Sequence, residues 1–376
     1  MMRRRRFLQM CAGGAWTATR WHGLADSVLS SASLPSTLFG SMVTPEDIAA
    51  DIRIRDLAAA YCDAIVVAGG VFWSSVEKSR GHYDFRRCDR VAQFGVQNGM
   101  VMRAHTLVSH TSWPLWLVRT ITPNTAESLL TNHVTNLVNH FHGIVRYWDV
   151  LNEVIKVEDG RQDMLRNSLW LQNAGPGYLD AALVAAREAD RGVFLGYNEW
   201  GLEDDGSVAT KKRSGALALL RRLIASGTPI DYLGVQGHLK GGQTYSDRQL
   251  GTFLRAVEDL GLRILITELD VDDSAFPSDI ATRDSLVADT YSRFLDVVLR
   301  NSTPDMITVW GLSDRDSWPQ YTHPRPDGLL QRSLPFDESL QRKPAWDVLV
   351  RSGIAHSVRR SGGAVRASSR GPRPHD

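Results

Sequence analysis

Glu153 and Glu268 are, by type and by sequence context, the residues best placed to do chemistry. Glu153 ends the run Arg146-Tyr147-Trp148-Asp149-Val150-Leu151-Asn152-Glu153. Glu268 lies near the end of Ile264-Leu265-Ile266-Thr267-Glu268-Leu269-Asp270. Both runs are rich in β-branched and aromatic residues and read as buried strands. A carboxylate carried by a buried strand is costly unless it is paired or used. Two facing carboxylates can cleave a glycosidic bond: one protonates the leaving oxygen, and the other attacks the anomeric carbon or activates a water. Ordinary rim salt bridges are the competing explanation. Asn152 beside Glu153, and Gln236 with His238 in Gly234-Val235-Gln236-Gly237-His238, weigh against it, because amides and imidazoles then gather with the acids.

Such side chains need a scaffold, and the sequence alternates short apolar runs with longer amphipathic ones. Strands are expected near 38–43, 64–69, 101–108, 145–152, 193–199, 232–238, 263–269 and 306–312. A helix should start at Thr44-Pro45-Glu46-Asp47, where a cap, a first-turn proline and two acids follow one another. Further helices are expected near 85–97, 126–141, 178–189, 211–225, 247–260, 283–299 and 338–350. Eight strands each followed by a helix is the pattern of a (β/α)8 TIM barrel, here a single α/β domain. A doubly wound open sheet competes, but Gly69-Gly70 is too thin a match to its phosphate loop. His105, Asn152, Glu153, Asn198, Glu199, Gln236, His238, Glu268 and Asp314 all fall near strand C-termini, the face on which barrel active sites are built. Glu153 and Glu268, on the fourth and seventh strands, are expected to face each other across the barrel mouth.

The 376 residues carry a net charge of +1, which hides an uneven distribution. Ten of the 43 basic residues and one of the 42 acids lie in 1–25 and 353–376, leaving −8 over 26–352. An acidic body excludes nucleic acid as the expected partner. Residues 1–25 read as an export signal: Arg4-Arg5-Arg6-Phe7-Leu8 fits a twin-arginine pattern, a weakly apolar stretch follows, and Gly23-Leu24-Ala25 offers a cleavage site. An exported, periplasmic or secreted, protein is therefore expected. Residues 26–352 form the catalytic unit, and 353–376 read as a basic, disordered tail. No run of 18 apolar residues suggests a membrane span. Three cysteines, Cys11, Cys62 and Cys88, make no disulfide framework; two unlinked, partly buried thiols are expected of Cys62 and Cys88, with a disulfide between them, formed in an oxidising compartment, as the alternative. His105, His110, His133, His140 and His142 fit no metal motif, so no metal or cofactor is expected. The helix carrying His133, His140 and His142 should turn them to solvent or the barrel's outside. Lys211-Lys212-Arg213 reads as a solvated helix start, and a monomer is expected.

Taken in order, several motifs resemble family 10 glycoside hydrolases, the retaining endo-β-1,4-xylanases. They are His105-Thr106-Leu107-Val108, Asp149-Val150-Leu151-Asn152-Glu153, Gly234-Val235-Gln236-Gly237-His238, Ile266-Thr267-Glu268-Leu269-Asp270, Trp310-Gly311-Leu312-Ser313-Asp314 with Ser317-Trp318, and Phe336-Asp337 with Lys343-Pro344-Ala345. The resemblance implies Glu153 as acid/base and Glu268 as nucleophile, with a polysaccharide or oligosaccharide substrate. It implies that Asn152 holds a sugar 2-hydroxyl, that His238 orients the nucleophile, and that His105 and Gln236 line the same subsite. Trp310, Trp318 and Trp73 would supply sugar-binding walls, with Asn198 and Glu199 in support and Glu199 close enough to pair with His238. Trp148 and Trp346 are expected in the core. The chain departs from the family on the second strand, whose Glu-Asn-x-Met-Lys-Trp stretch is here Ala68-Gly69-Gly70-Val71-Phe72-Trp73. Ser109 stands where the family has a tryptophan, with Trp113 or His110 nearby as substitutes, and Asn198-Glu199 replaces Asn-Asp. Those changes leave the cleavage chemistry in place and loosen the choice of sugar, so a different β-linked or substituted glycan is the alternative substrate. A barrel that binds sugar without cutting it is the third reading.

Overall fold

The computed structural model describes residues 37–50 and 52–356. Its strands are β1 (Leu38–Val43), β2 (Ala64–Val67), β3 (Val101–Val108), β4 (Tyr147–Asn152), β5 (Phe194–Glu199), β6 (Tyr232–Val235), β7 (His238–Lys240), β8 (Arg263–Asp272) and β9 (Met306–Val309). All neighbours pair in parallel, and β6 pairs with β8 while β1 pairs with β9, which closes an eight-stranded barrel. The short β7 lies outside that ring, against the far end of β8. Closure leaves every barrel strand paired on both sides, so the apolar sequences of β2 and β6 can be fully buried.

The barrel interior is filled in layers. Leu38, Ala64, Val101, Tyr147, Tyr232, Leu265 and Met306 plug the end where the strands begin. Val66, Ala68 and Trp310, with half-buried Met42, pack together on the β1–β2–β9 side nearer the opposite end. The outer helices bury one face each on the barrel; Ala126–His140 turns Leu130, Val134, Leu137 and Val138 inward at helical spacing.

Several boundaries differ from expectation. The sixth strand is interrupted at Gln236-Gly237, because Gly237 adopts φ +78 and redirects the chain into β7. β8 runs on to Asp272 because β7 pairs with its extension. The helix of 207–225 begins four residues earlier than its charge pattern suggested, and the closing helix is only Pro344–Arg351. Residues 338–343 are irregular, with Asp337 accepting the Ser339 and Gln341 amides. Ile354 and Ala355 are buried and His356 reaches Asp63 at 3.1 Å, so packed structure continues past Gly353. The proposed signal and most of the basic tail lie outside the described residues. Cys62 and Cys88 are unlinked and fully buried, deeper than expected. Trp148 and Trp346 are core residues. No helix among the described residues is long and apolar enough to cross a membrane.

Candidate active site

The floor of the site is built on Asp149, which points into the barrel from β4 and is fully buried. Its Oδ2 meets His105 Nδ1 at 2.7 Å, with Arg103 Nε at 3.7 Å, and its Oδ1 accepts the Tyr232 hydroxyl at 2.6 Å. Burial pushes this carboxyl up, but the Arg103 charge and the bonds from His105 and Tyr232 outweigh it and hold it below the usual range. Gly196 makes room for the Tyr232 ring: a Cβ there would sit 2.1 Å from it. Arg103 and His105 are two residues apart on β3, so both side chains project to the interior.

Glu268 stands above this floor, 4% exposed. Asn198 Nδ2 donates to its Oε1 at 2.7 Å, His238 Nε2 lies 3.2 Å from its Oε2, and His105 Nδ1 is 3.7 Å from its Oε1. Burial again opposes the charged form, but the charges of His105, His238 and Arg103 and the His238 hydrogen bond hold the pKa below its ordinary value. His238 turns its other nitrogen to Asp270 Oδ1 at 2.8 Å. Burial disfavours the imidazolium, yet Asp270 and Glu268 raise the His238 pKa well above the ordinary value. Trp318 stacks on the His238 ring with centroids 4.6 Å apart, and Trp310 stands edge-on to His105 at 5.5 Å.

Glu153 follows the last residue of β4 and adopts φ +52, a conformation uncommon for a side-chain-bearing residue. Two backbone bonds hold it there: its N–H donates to Asn198 O at 2.9 Å, and its carbonyl accepts Arg166 Nε at 2.6 Å. Its Oε1 accepts Gln236 Nε2 at 3.2 Å, with Asn152 Nδ2 at 3.4 Å. Arg166 and His110 approach Oε2 at 3.5 and 3.8 Å. Burial pushes the His110 pKa down to about 4, so that imidazole is neutral at neutral pH. Beside Glu153 lies a small recess lined among others by Ser109, His110, Asn152, Arg166 and Ser168.

The structure therefore brings His105, Asn152, Glu153, Asn198, Gln236, His238, Glu268, Trp310 and Trp318 into one contact network. Glu153 and Glu268 sit three strands apart around the barrel, not on diametrically opposed strands. Two expected members lie elsewhere. Glu199 is fully buried and points away, accepting Lys212 Nζ at 2.8 Å, Tyr197 Oη at 2.5 Å and the Ile155 amide at 3.0 Å. The partner of His238 is Asp270, not Glu199. Trp73 is 4% exposed and sandwiched between His133 and Trp170, its indole N–H bonded to Glu77 at 2.7 Å; it is a packing residue. His133 is correspondingly buried, not turned to solvent, although His140 and His142 are exposed. Lys212 and Arg213 are buried as well, because Glu199 and the Leu202 carbonyl claim them. Trp113 folds back to bond the Ser109 carbonyl. Asp314 pairs with Lys343 at 2.8 Å, and burial pushes it up to about 6.

The sequence reading missed Arg103, Asp149, Arg166 and Asp270 as site residues and left His110 only as a substitute for a missing tryptophan. Asp270 and Arg103 could have been found, since each lies two residues from a chosen residue on the same strand. Nothing in the sequence pairs Arg166 with Glu153, thirteen residues earlier. Among the described residues, no cluster of three His, Cys, Asp or Glu side chains is arranged to hold a metal ion.

A parallel eight-stranded barrel with two glutamates in one amide-and-imidazole network at its C-terminal mouth is a (β/α)8 barrel of the glycoside hydrolase class. The model of glycosyl hydrolase family 10 matches residues 29–352, and the chain belongs to that family. It is 32% identical to endo-1,4-beta-xylanase 1 of Humicola insolens over 75% of this chain and 63% of that enzyme, so it spans less than two thirds of that relative. It is 33% identical to an endo-1,4-beta-xylanase of Agaricus bisporus, covering 76% of this chain and 81% of the relative. The family 10 structure from Paenibacillus barcinonensis superposes with a TM-score of 0.75 at 27% identity, over 85% of this chain and 96% of that one.

Proposed function

We propose that this protein hydrolyses a β-1,4-linked, xylan-like polysaccharide at internal bonds with retention of anomeric configuration. Glu268 is the nucleophile and Glu153 the acid/base. The observation that carries this reading is the environment of Glu268: a carboxylate buried but held charged by His105, His238 and Asn198. A buried carboxylate kept anionic beside a second, more open one is the division of labour that double displacement requires. Glu268 attacks the anomeric carbon while Glu153 delivers its proton to the leaving oxygen. Glu153 then takes a proton from the water that releases the sugar from Glu268. Asn152, fixed by Asn198 at 3.0 Å, lies between the two carboxylates, where a sugar 2-hydroxyl would be held. The relatives named above are xylanases, which supports xylan as the substrate. Residues 1–25 are proposed to direct twin-arginine export of the unit 26–352.

Digestion of β-1,4-xylan followed by proton NMR of the first products tests the reading. The β-anomer should form first and mutarotate afterwards. Initial release of the α-anomer, or no release from any β-linked glycan, would overturn it.

One observation favours a second substrate reading. Away from Glu153, the mouth is floored by Met42, Ala68, Trp310 and Phe72, whose ring stands edge-on to His105 at 6.1 Å. Gly69 adds no side chain, and the space beside it is open to 4 Å. A sugar lying there would meet the apolar faces of these residues, which suits a substituted glycan. A panel including arabinoxylan, β-glucans and bacterial exopolysaccharides separates the two substrates.

A further inference from the structure

Glu203 is a buried carboxylate that the proposed reaction does not use. It is 3% exposed, and its Oε1 accepts the Gly237 amide at 2.8 Å. Gly237 has φ +78, and a Cβ there would meet Ile266 Cγ2 at 3.2 Å. The residues on either side of it are Gln236 and His238, which touch different carboxylates: Gln236 Nε2 reaches Glu153 at 3.2 Å and His238 Nε2 reaches Glu268 at 3.2 Å. The backbone of the turn is pinned through Gln236 N to Glu199 O, Glu268 N to Gln236 O, and Asp270 N to Gly237 O. The amide of Gly237 itself is taken by Glu203. The ionisable groups facing Glu203 are His238 from β7, Lys212 and Arg213 from the helix Ser207–Ala225, and the Tyr245 phenol. Leaving a buried amide without an acceptor is unfavourable, so without Glu203 the turn must move.

We propose that Glu203 is a positioning residue which, by accepting the Gly237 amide, sets the angles at which His238 and Gln236 reach Glu268 and Glu153. Its role is that of an acceptor at a fixed distance. A glutamine therefore substitutes for it, and an aspartate, one methylene shorter, does not. The kinetic half of the test rests on the glycosidase reading; the spectroscopic half does not.

The experiment compares the full chain with Glu203→Gln and Glu203→Asp. The His238 imidazole is titrated by NMR with labelled histidine, and the pH profile of kcat/KM is measured on an aryl β-xylobioside. In the parent and in Glu203→Gln, His238 should titrate well above the ordinary histidine range. In Glu203→Asp it should fall by about one pH unit or more, because its contacts with Asp270 and Glu268 loosen. The acidic limb of kcat/KM should rise in the same variant, as Glu268 loses the partner that keeps it charged, and the glutamine should restore it. Should the aspartate variant fail to fold, Glu203→Met, which keeps the volume and removes both oxygens, takes its place. An unchanged His238 titration in a folded aspartate or methionine variant overturns the proposal, and so does a glutamine variant as disturbed as the aspartate. A parent without glycosidase activity counts against the function, while the His238 titration still decides the role of Glu203.

Discussion

Asn198 and Glu268 are joined by a 2.7 Å hydrogen bond, and the same amide nitrogen of Asn198 lies 3.0 Å from Asn152 Oδ1. Asn152 in turn lies 3.4 Å from Glu153, so a run of two amides connects the two carboxylates. Asn198 is itself fixed, because its Oδ1 accepts the Thr267 hydroxyl at 2.6 Å. The spacing between Glu268 and Glu153, the proposed nucleophile and acid/base, is thus set by β4, β5 and β8 together, which are barrel strands and not loops. Preorganisation of this kind requires little rearrangement on reaching the transition state.

Removing Glu268, the proposed nucleophile, should be the most damaging single change. In Glu268→Ala, turnover of xylan falls by roughly 10⁴ or more, as for other residues that form the covalent intermediate. Azide should partly restore cleavage of an activated aryl glycoside, yielding the inverted glycosyl azide. In Glu153→Ala it should yield the retained one. Identification of the azide products by NMR checks both roles, and equal product stereochemistry in the two variants refutes the assignment.

His238 gives a stability prediction with a definite sign. Its pKa is raised well above 6.5 in the folded chain, chiefly because Asp270 and Glu268 overcome its burial. The stability it contributes is complete below its unfolded pKa of about 6.5 and is lost as pH climbs through the raised value. The Tm difference between the parent and His238→Gln should be steady between about pH 5 and 6.5 and shrink at higher pH. Thermal melts across pH 5 to 10 measure it, and a difference that widens with rising pH contradicts the assignment.

Lys212 and Glu199 are only 3% and 0% exposed, and Trp200 packs its ring against the Lys212 amine at 4.2 Å. Lys212→Met leaves Glu199 as an uncompensated buried charge and should cost about 3–5 kcal/mol. Adding Glu199→Gln should recover part of that loss. Denaturant unfolding of the single and double variants gives the coupling directly. Additive losses would mean that the pair does not act as a unit.

The barrel was legible because its signal is periodic and repeated: buried strands read as short apolar runs wherever they occur. The two glutamates and their amide and imidazole neighbours stood out because polar groups on such strands are unusual. What the sequence hid depends on neighbours distant along the chain. Lys212 looks like a solvated helix start until Glu199 is placed beside it, and Trp73 looks like a sugar platform until His133 stacks on it at 3.7 Å. Glu199 follows Asn198 directly, so on a strand its side chain must take the opposite face, and strand alternation alone could have removed it from the site. β7 is three residues long and depends on pairing with the end of β8. No local pattern announces it.

The apolar floor of Met42, Ala68, Phe72 and Trp310 predicts how the enzyme responds to glycone length. With Glu153 as the proposed acid/base, the leaving group would lie on its side and the retained chain would extend toward β1, β2 and β9. A second sugar there would meet aromatic and aliphatic surface. Sites that read a sugar through several polar groups gain about tenfold from each good hydrogen bond, so three would give up to about 10³. Stacking on apolar surface gives less and discriminates less. The ratio of kcat/KM for aryl β-xylobioside over aryl β-xyloside should therefore stay below about tenfold. Phe72→Ala should lower the rate on the longer substrate more than on the shorter one. A ratio above about a hundredfold would mean that hydrogen-bonding groups outside the four apolar residues grip the second sugar.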